Sequence, residues 1–275
     1  MTAAHPVTQT PPTRPAGQRV TLARVVRSEW TKLRSLPSAR WSLLITVASI
    51  VGFGALYCLL RVTRPPDNPA ARAAFDATAV SLTGVQLAQL AVGVLGVLLV
   101  AGEYATGLIR TSLTAVPARL PVLWAKAIVF VLTTLVVCLP VTVASFLVGQ
   151  SILSAERLDI ALSHPGVARA VLGSALYLSA IGLLGLGLGA LLRSTAGAVA
   201  TLLGLLFGPQ LLAGLLPSDW SDRIYPYLPV PAGAAVANVR PDPAALGPWR
   251  GFGLFCLYTG LVLALAAWQL RRRDA

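Results

Sequence analysis

Six long apolar runs, each bounded by polar or proline-containing sequence, set the plan of this chain. They extend approximately from Trp41 to Leu60, Val80 to Ala101, Ile128 to Gly149, Ala170 to Leu192, Ala198 to Leu216 and Gly251 to Leu270. A helix needs about 20 residues to cross a hydrocarbon core of about 30 Å, so each run is long enough to span a membrane. No Asp, Glu, Lys, Arg or His interrupts any of them. The fourth and fifth are separated only by RSTAG, Arg193 to Gly197, which predicts a tight helical hairpin. The expected fold class is all-α integral membrane with six transmembrane helices.

The sequence before the first run divides in two. Residues 1–19 are rich in Pro and Thr and are expected to form a disordered tail. From Val20 to Leu36 the chain reads VTLARVVRSEWTKLRSL. Val26, Trp30 and Leu33 follow helical spacing, while Arg24, Arg27, Lys32 and Arg34 fall mostly on other faces. That pattern suits an amphipathic helix lying in the membrane interface, or more simply a basic flank that fixes topology. Pro37 separates it from the first run. About 40 residues precede that run, which is also longer than the apolar region of a signal peptide, so a retained span is expected.

Composition agrees with a membrane protein: of 275 residues, 56% are hydrophobic and 12% charged, with a mean hydropathy of +0.74. The net charge of +12 raises the question of nucleic acid. The cations, however, gather at the ends of apolar runs rather than among aromatics on a soluble surface, so nucleic acid is not an expected partner. With a cytoplasmic N-terminus, fourteen Lys and Arg lie inside and eight outside, and of the acids only Glu29, Glu103 and Asp274 lie inside. The expected topology is a multi-pass protein of the cell membrane with both termini cytoplasmic.

The chemistry inside the runs is sparse. Carriers driven by proton or sodium gradients usually keep titratable groups near the midplane, and here the strongest polar groups are Gln86, Gln89 and Gln210. Gln86 and Gln89, one turn apart, suit either interhelical hydrogen bonds or the lining of a path. Gly185 and Gly189, in GxxxG spacing, predict close helix packing, and Gly204 to Gly208 repeats the spacing. The two histidines, His5 and His164, lie outside the runs, and no GxxxxGK[ST] phosphate loop occurs. No catalytic, cofactor-binding or metal-ligating set is expected. Cys58, Cys138 and Cys256 read as small apolar residues, and spacing alone does not pair Cys58 with Cys256.

One polar connection stands out, AGEYATGLIRTSLTAVPARLPVLWAK from Ala101 to Lys126. Tyr104 and Leu108 share one side of a short helix predicted to run to about Leu113, with Glu103 in its first turn, where a carboxylate suits the helix dipole. Thr106, Arg110 and Thr114 occupy another side, and Pro117 and Pro121 bend the chain into the third span.

This run, through Glu103, Gly107, Arg110, Leu113, Pro117, Arg119 and Lys126, resembles the segment between the second and third spans of ABC-2 type permeases, the membrane subunits of ABC exporters. SEWTKLRSLPSARW, Ser28 to Trp41, is similar to the elbow helix that opens actinobacterial members. RIYPYLPVPAGAAV, Arg223 to Val236, is similar to the outer segment before their last span. The resemblance implies an ABC-2 type transmembrane domain over residues 20–275. It also implies a cytoplasmic coupling helix over 103–114 docked on a separate ABC ATPase subunit, which would bind ATP and Mg, and a homodimer or a pair with a similar permease. By the same carry-over Glu103 and Arg110 become polar contacts to the ATPase and Tyr104 and Leu108 its apolar anchors. The outer segment becomes a pair of short re-entrant helices, although Trp220, Tyr225, Tyr227 and Trp249 also suit ordinary interfacial anchors. A non-transporting membrane scaffold or sensor that recruits a cytoplasmic partner is the alternative reading.

Overall fold

In a computed structural model the described residues are 21–66, 68–107, 120–240 and 245–272. Among them the secondary structure is entirely helical. Six helices are long and apolar enough to cross a membrane: span 1 at Pro37–Thr63, span 2 at Val85–Ala105, span 3 at Leu120–Glu156, span 4 at Val167–Leu192, span 5 at Thr195–Ala213 and span 6 at Pro248–Arg272. The chain is a multi-pass membrane protein. An amphipathic helix, Leu22–Ser35, precedes span 1, and Pro37 opens span 1 at its first helical position, where its missing N–H costs nothing.

Spans 2 and 4 form the centre. Over its most apolar stretch span 4 is 78% buried and span 2 is 61% buried, against 22% for spans 1 and 5. In lipid no hydrophobic force drives two helices together, so contact depends on how closely their backbones fit. Glycine supplies that fit. A Cβ on Gly96 would overlap the Gly182 carbonyl, one on Gly185 would overlap the Gly93 carbonyl, and one on Gly189 would lie 2.8 Å from the Val97 carbonyl. The predicted GxxxG pair, Gly185 and Gly189, is therefore packed against span 2. Gly204 and Gly208 in span 5 face open space, so their matching spacing does not serve packing within the described chain. Thr134 of span 3 adds a hydrogen bond to Ser179 of span 4, 3.1 Å.

The predicted second span, Val80 to Ala101, differs at both ends. Residues Ala77–Ser81 form a separate short helix capped by Asp76, whose carboxylate accepts from the Ala79 N–H. A turn then leads into span 2 at Val85. Thr83 turns its hydroxyl back to the Ala79 and Val80 carbonyls, a local bond that competes with helix continuation. Gly84 lies so close to span 1 that a Cβ would overlap the Ser49 carbonyl. At that contact span 1 widens into a π-helical turn, Ser49–Phe53, and Ser145 of span 3 donates to the carbonyl of Ile50 or of Ser81, at 2.9 and 2.8 Å. Hydropathy sees only an apolar run and cannot register this break.

The hairpin between spans 4 and 5 is as tight as RSTAG predicts. Arg193 takes the left-handed conformation that ends span 4, and Ser194 caps span 5 by accepting from the Gly197 N–H. At the opposite end, the chain between spans 5 and 6 turns back into the protein. It contains short helices at Ser218–Ile224 and Pro229–Ala234. Gly233 contacts Tyr177 and Phe255, and Gly173 contacts Val236. Tyr177 is ten residues inside span 4, about 15 Å at 1.5 Å per residue. The segment therefore dips between spans 4 and 6, and Arg169 fixes its exit by donating to the Val236 and Asn238 carbonyls at 3.0 and 2.9 Å. Cys58, Cys138 and Cys256 are free thiols.

Gly96→Ala is expected to destabilise the protein by about 3 kcal/mol, the upper end for overpacking, because the obstacle is a carbonyl rather than a flexible side chain. Gly204→Ala is expected to be neutral. Thermal unfolding of the two variants side by side in detergent checks the difference.

Candidate functional site

The end of the molecule that carries the span 2–3 connection and the span 4–5 hairpin holds, among the described residues, a group of four charges, with Lys126 and Glu29 buried, Glu103 largely so and Lys32 at the surface. Glu29 lies on the stripe Val25, Glu29, Leu33 of the amphipathic helix, the residues of that helix that are buried. Val26 and Trp30, predicted to share the apolar face with Leu33, instead line a surface groove with Val129 and Leu132 of span 3. Glu103 falls in the last turn of span 2, which continues to Ala105. Lys126 lies on span 3, whose helix begins eight residues before the apolar run.

Lys126 is 2% exposed and Glu29 5%. Its ammonium donates to Glu29 Oε2 at 2.6 Å and to Glu103 Oε1 at 2.7 Å, with the Leu99 carbonyl at 3.5 Å as a weak third acceptor. Lys32 closes the group from the surface, donating to Glu29 Oε1 at 2.7 Å and reaching Glu103 Oε1 at 3.3 Å. Two carboxylates and two ammoniums leave no net charge, which is the condition for burying them. Burial alone would lower the Lys32 pKa. The hydrogen bond to Glu29 and the charges of Glu103 and Glu29 outweigh it, and the group sits above its ordinary 10.5.

This geometry corrects one expectation. Glu103 does not open a helix on a favourable dipole; it stands near the C-terminal end of one, where a carboxylate is disfavoured, and the lysines offset that cost. The third apolar run, from Ile128, is free of charge as read, and buried Lys126 lies two residues before it on the same helix. Tyr104, next in sequence, faces the span 4–5 hairpin, with the Arg193 guanidinium 5.3 Å from its ring centre. The last turn of span 2 thus meets span 3 and the amphipathic helix through Glu103 and the hairpin through Tyr104. Leu108 and Arg110 lie outside the described residues.

The glutamines separate by role. Gln89 is buried and accepts a 2.5 Å hydrogen bond from Tyr177 of span 4, an interhelical tie. Gln86 is exposed and lines a cavity of about 520 Å³ together with Gln210, beneath the segment that dips back toward the bilayer. No group of His, Cys, Asp and Glu that could hold a metal occurs among the described residues.

Sequence reading passed over Glu29, Lys32 and Lys126 as site residues. One signal was available. Of 22 Lys and Arg only two are lysine, and both belong to this cluster. An ammonium is a compact charge whose three donors reach several acceptors at once, as Lys126 does here. Comparison with protein-family models and with curated proteins gives no match.

Lys126→Met is expected to cost about 3 kcal/mol, because it leaves Glu29 and Glu103 facing each other with only the half-exposed Lys32 between them. Combining it with Glu29→Gln and Glu103→Gln should restore most of that loss, as read by thermal unfolding. Lys32 titrates above 10.5, so its stabilisation is fully present at lower pH and is lost only as pH rises through its raised pKa. The difference in melting temperature between wild type and Lys32→Gln should stay constant from about pH 7 to pH 9.

Proposed function

We propose that this chain is the permease subunit of an ATP-driven exporter of the ABC-2 type. It forms the transmembrane path and takes its energy from a separate ATPase that binds ATP and Mg. Its working form is a homodimer or a pair with a similar permease, in the cell membrane with both termini cytoplasmic. The observation that carries this reading is the Lys126 cluster. Residues 108–119 are rooted in Glu103 and Tyr104 on one side and in the Lys126 helix on the other, and the cluster joins both roots to the amphipathic helix. Force applied to that segment reaches spans 2 and 3 and the Leu22–Ser35 helix together, and through Arg193 the span 4–5 hairpin. That is the mechanical requirement for coupling a membrane path to a motor outside it.

The reading also divides the expected contacts. Glu103 spends its bonding oxygen on two lysines and Tyr104 lies against Arg193, so these two hold the lever. Contact with the ATPase falls to Leu108 and Arg110. Gln86 and Gln210 line the outer part of the path, and Gly185 and Gly189 hold the bundle together.

Co-expression with the ABC ATPase encoded nearest to this chain, purification through a tag on the permease and assay of ATP hydrolysis in lipid tests the proposal. The ATPase should co-purify, and Leu108→Asp should lower permease-dependent hydrolysis by about ten-fold or more, equivalent to about 1.4 kcal/mol of coupling, while all six spans still insert. A chain that captures no ATPase, or whose ATPase ignores Leu108→Asp, overturns it in favour of a scaffold.

A further inference from the structure

The cavity at the end opposite the ion cluster has an uneven chemistry. Its polar lining is built of amides and oxygens, with Gln86, Gln210, Asn238, Ser221 and Tyr225 around one carboxylate, Asp222. Val230, Pro231 and Ala234 of the dipping segment supply an apolar wall. The chain carries 22 Lys and Arg against 10 acids, yet none of the described lining residues is a cation. Asp222 forms no ion pair among the described residues. Its charge is therefore available to whatever enters, at the mouth of a cleft whose low-dielectric wall strengthens the field. A volume of about 520 Å³ lies in the range of sites for drug-sized molecules.

From this lining we infer that the cavity binds an amphipathic organic cation, with its apolar body against Val230, Pro231 and Ala234 and its charge toward Asp222. Acceptor oxygens of Gln86, Gln210 and Asn238 solvate the same positive group. As a cargo assignment this rests on the permease reading; as a binding site it does not.

Two ions of nearly identical shape and opposite charge, tetraphenylphosphonium and tetraphenylborate, isolate the charge term. The full chain in phosphatidylcholine nanodiscs is dialysed against each labelled ion, and binding to empty nanodiscs is subtracted. Saturable binding of the cation, tighter than that of the anion by about ten-fold or more, is the expected result, since Asp222 attracts the one and repels the other. Asp222→Asn, an exposed position whose replacement leaves the melting temperature unchanged, should bring the ratio below about three-fold. Ala234→Trp, which fills the cavity with the carboxylate intact, should abolish saturable binding of the cation. Equal affinity for the two ions, or a preference that survives Asp222→Asn, overturns the inference. Failure here with ATPase coupling intact removes the cation site and leaves the permease standing; binding without any ATPase partner does the reverse.

Discussion

An ammonium shut away from water must be surrounded by oxygen supplied by the protein, and Lys126 of span 3 meets that condition by drawing the amphipathic helix and span 2 onto one atom. Glu29 comes from the amphipathic helix, Glu103 from the end of span 2, and the Leu99 carbonyl from the turn before it. A buried ion pair is seldom more stabilising than a packed apolar core of equal volume. What it does here is tie the amphipathic helix, span 2 and span 3 together at one point, with Lys126 and Lys32 shared between Glu29 and Glu103. The position of the Leu22–Ser35 helix, the exit of span 2 and the start of span 3 follow from that single requirement.

The rest of the bundle obeys the companion rule for uncharged backbone. Spans 2 and 4 touch through Gly93, Gly96, Gly182, Gly185 and Gly189 because small residues alone bring two backbones within contact. Where the backbone departs from the regular helix, at the π turn of span 1, at Gly84 and in the segment Pro229–Ala234, polar partners or close packing occupy the gap. Irregular backbone at membrane depth is tolerated only when buried in this way.

How much of this was legible in the sequence depends on the range of the interaction. The six spans, the hairpin at Arg193–Gly197 and the packing role of Gly185 and Gly189 are local patterns, and they are found where the pattern puts them. The helix break at Gly84 was not readable from hydropathy, because span 1, more than 30 residues away, packs so closely there that only glycine fits beside the Ser49 carbonyl. Likewise Lys126 and Glu29 meet across 97 positions. The sequence pattern put Lys126 in the connection before the third span and Glu29 in an interfacial helix or basic flank. Gln86 and Gln89 show the same limit at short range: their types and spacing fit two roles, and only the neighbours, Tyr177 for one and the cavity for the other, separate them.

The hairpin joining spans 4 and 5 has a further consequence. Arg193 and Ser194 are the only residues between the two helices, too few for the arms to part at that end. Span 5 carries Gln210 at its far tip, whereas span 4 is held in the glycine seam against span 2. Any widening of the cavity between Gln86 and Gln210 must therefore be angular, a tweezer motion about a fixed base in which a few degrees at Ser194 become ångströms at Gln210. The reach of such an opening scales with the length of one arm, so its width at Gln210 is set by the number of turns in span 5.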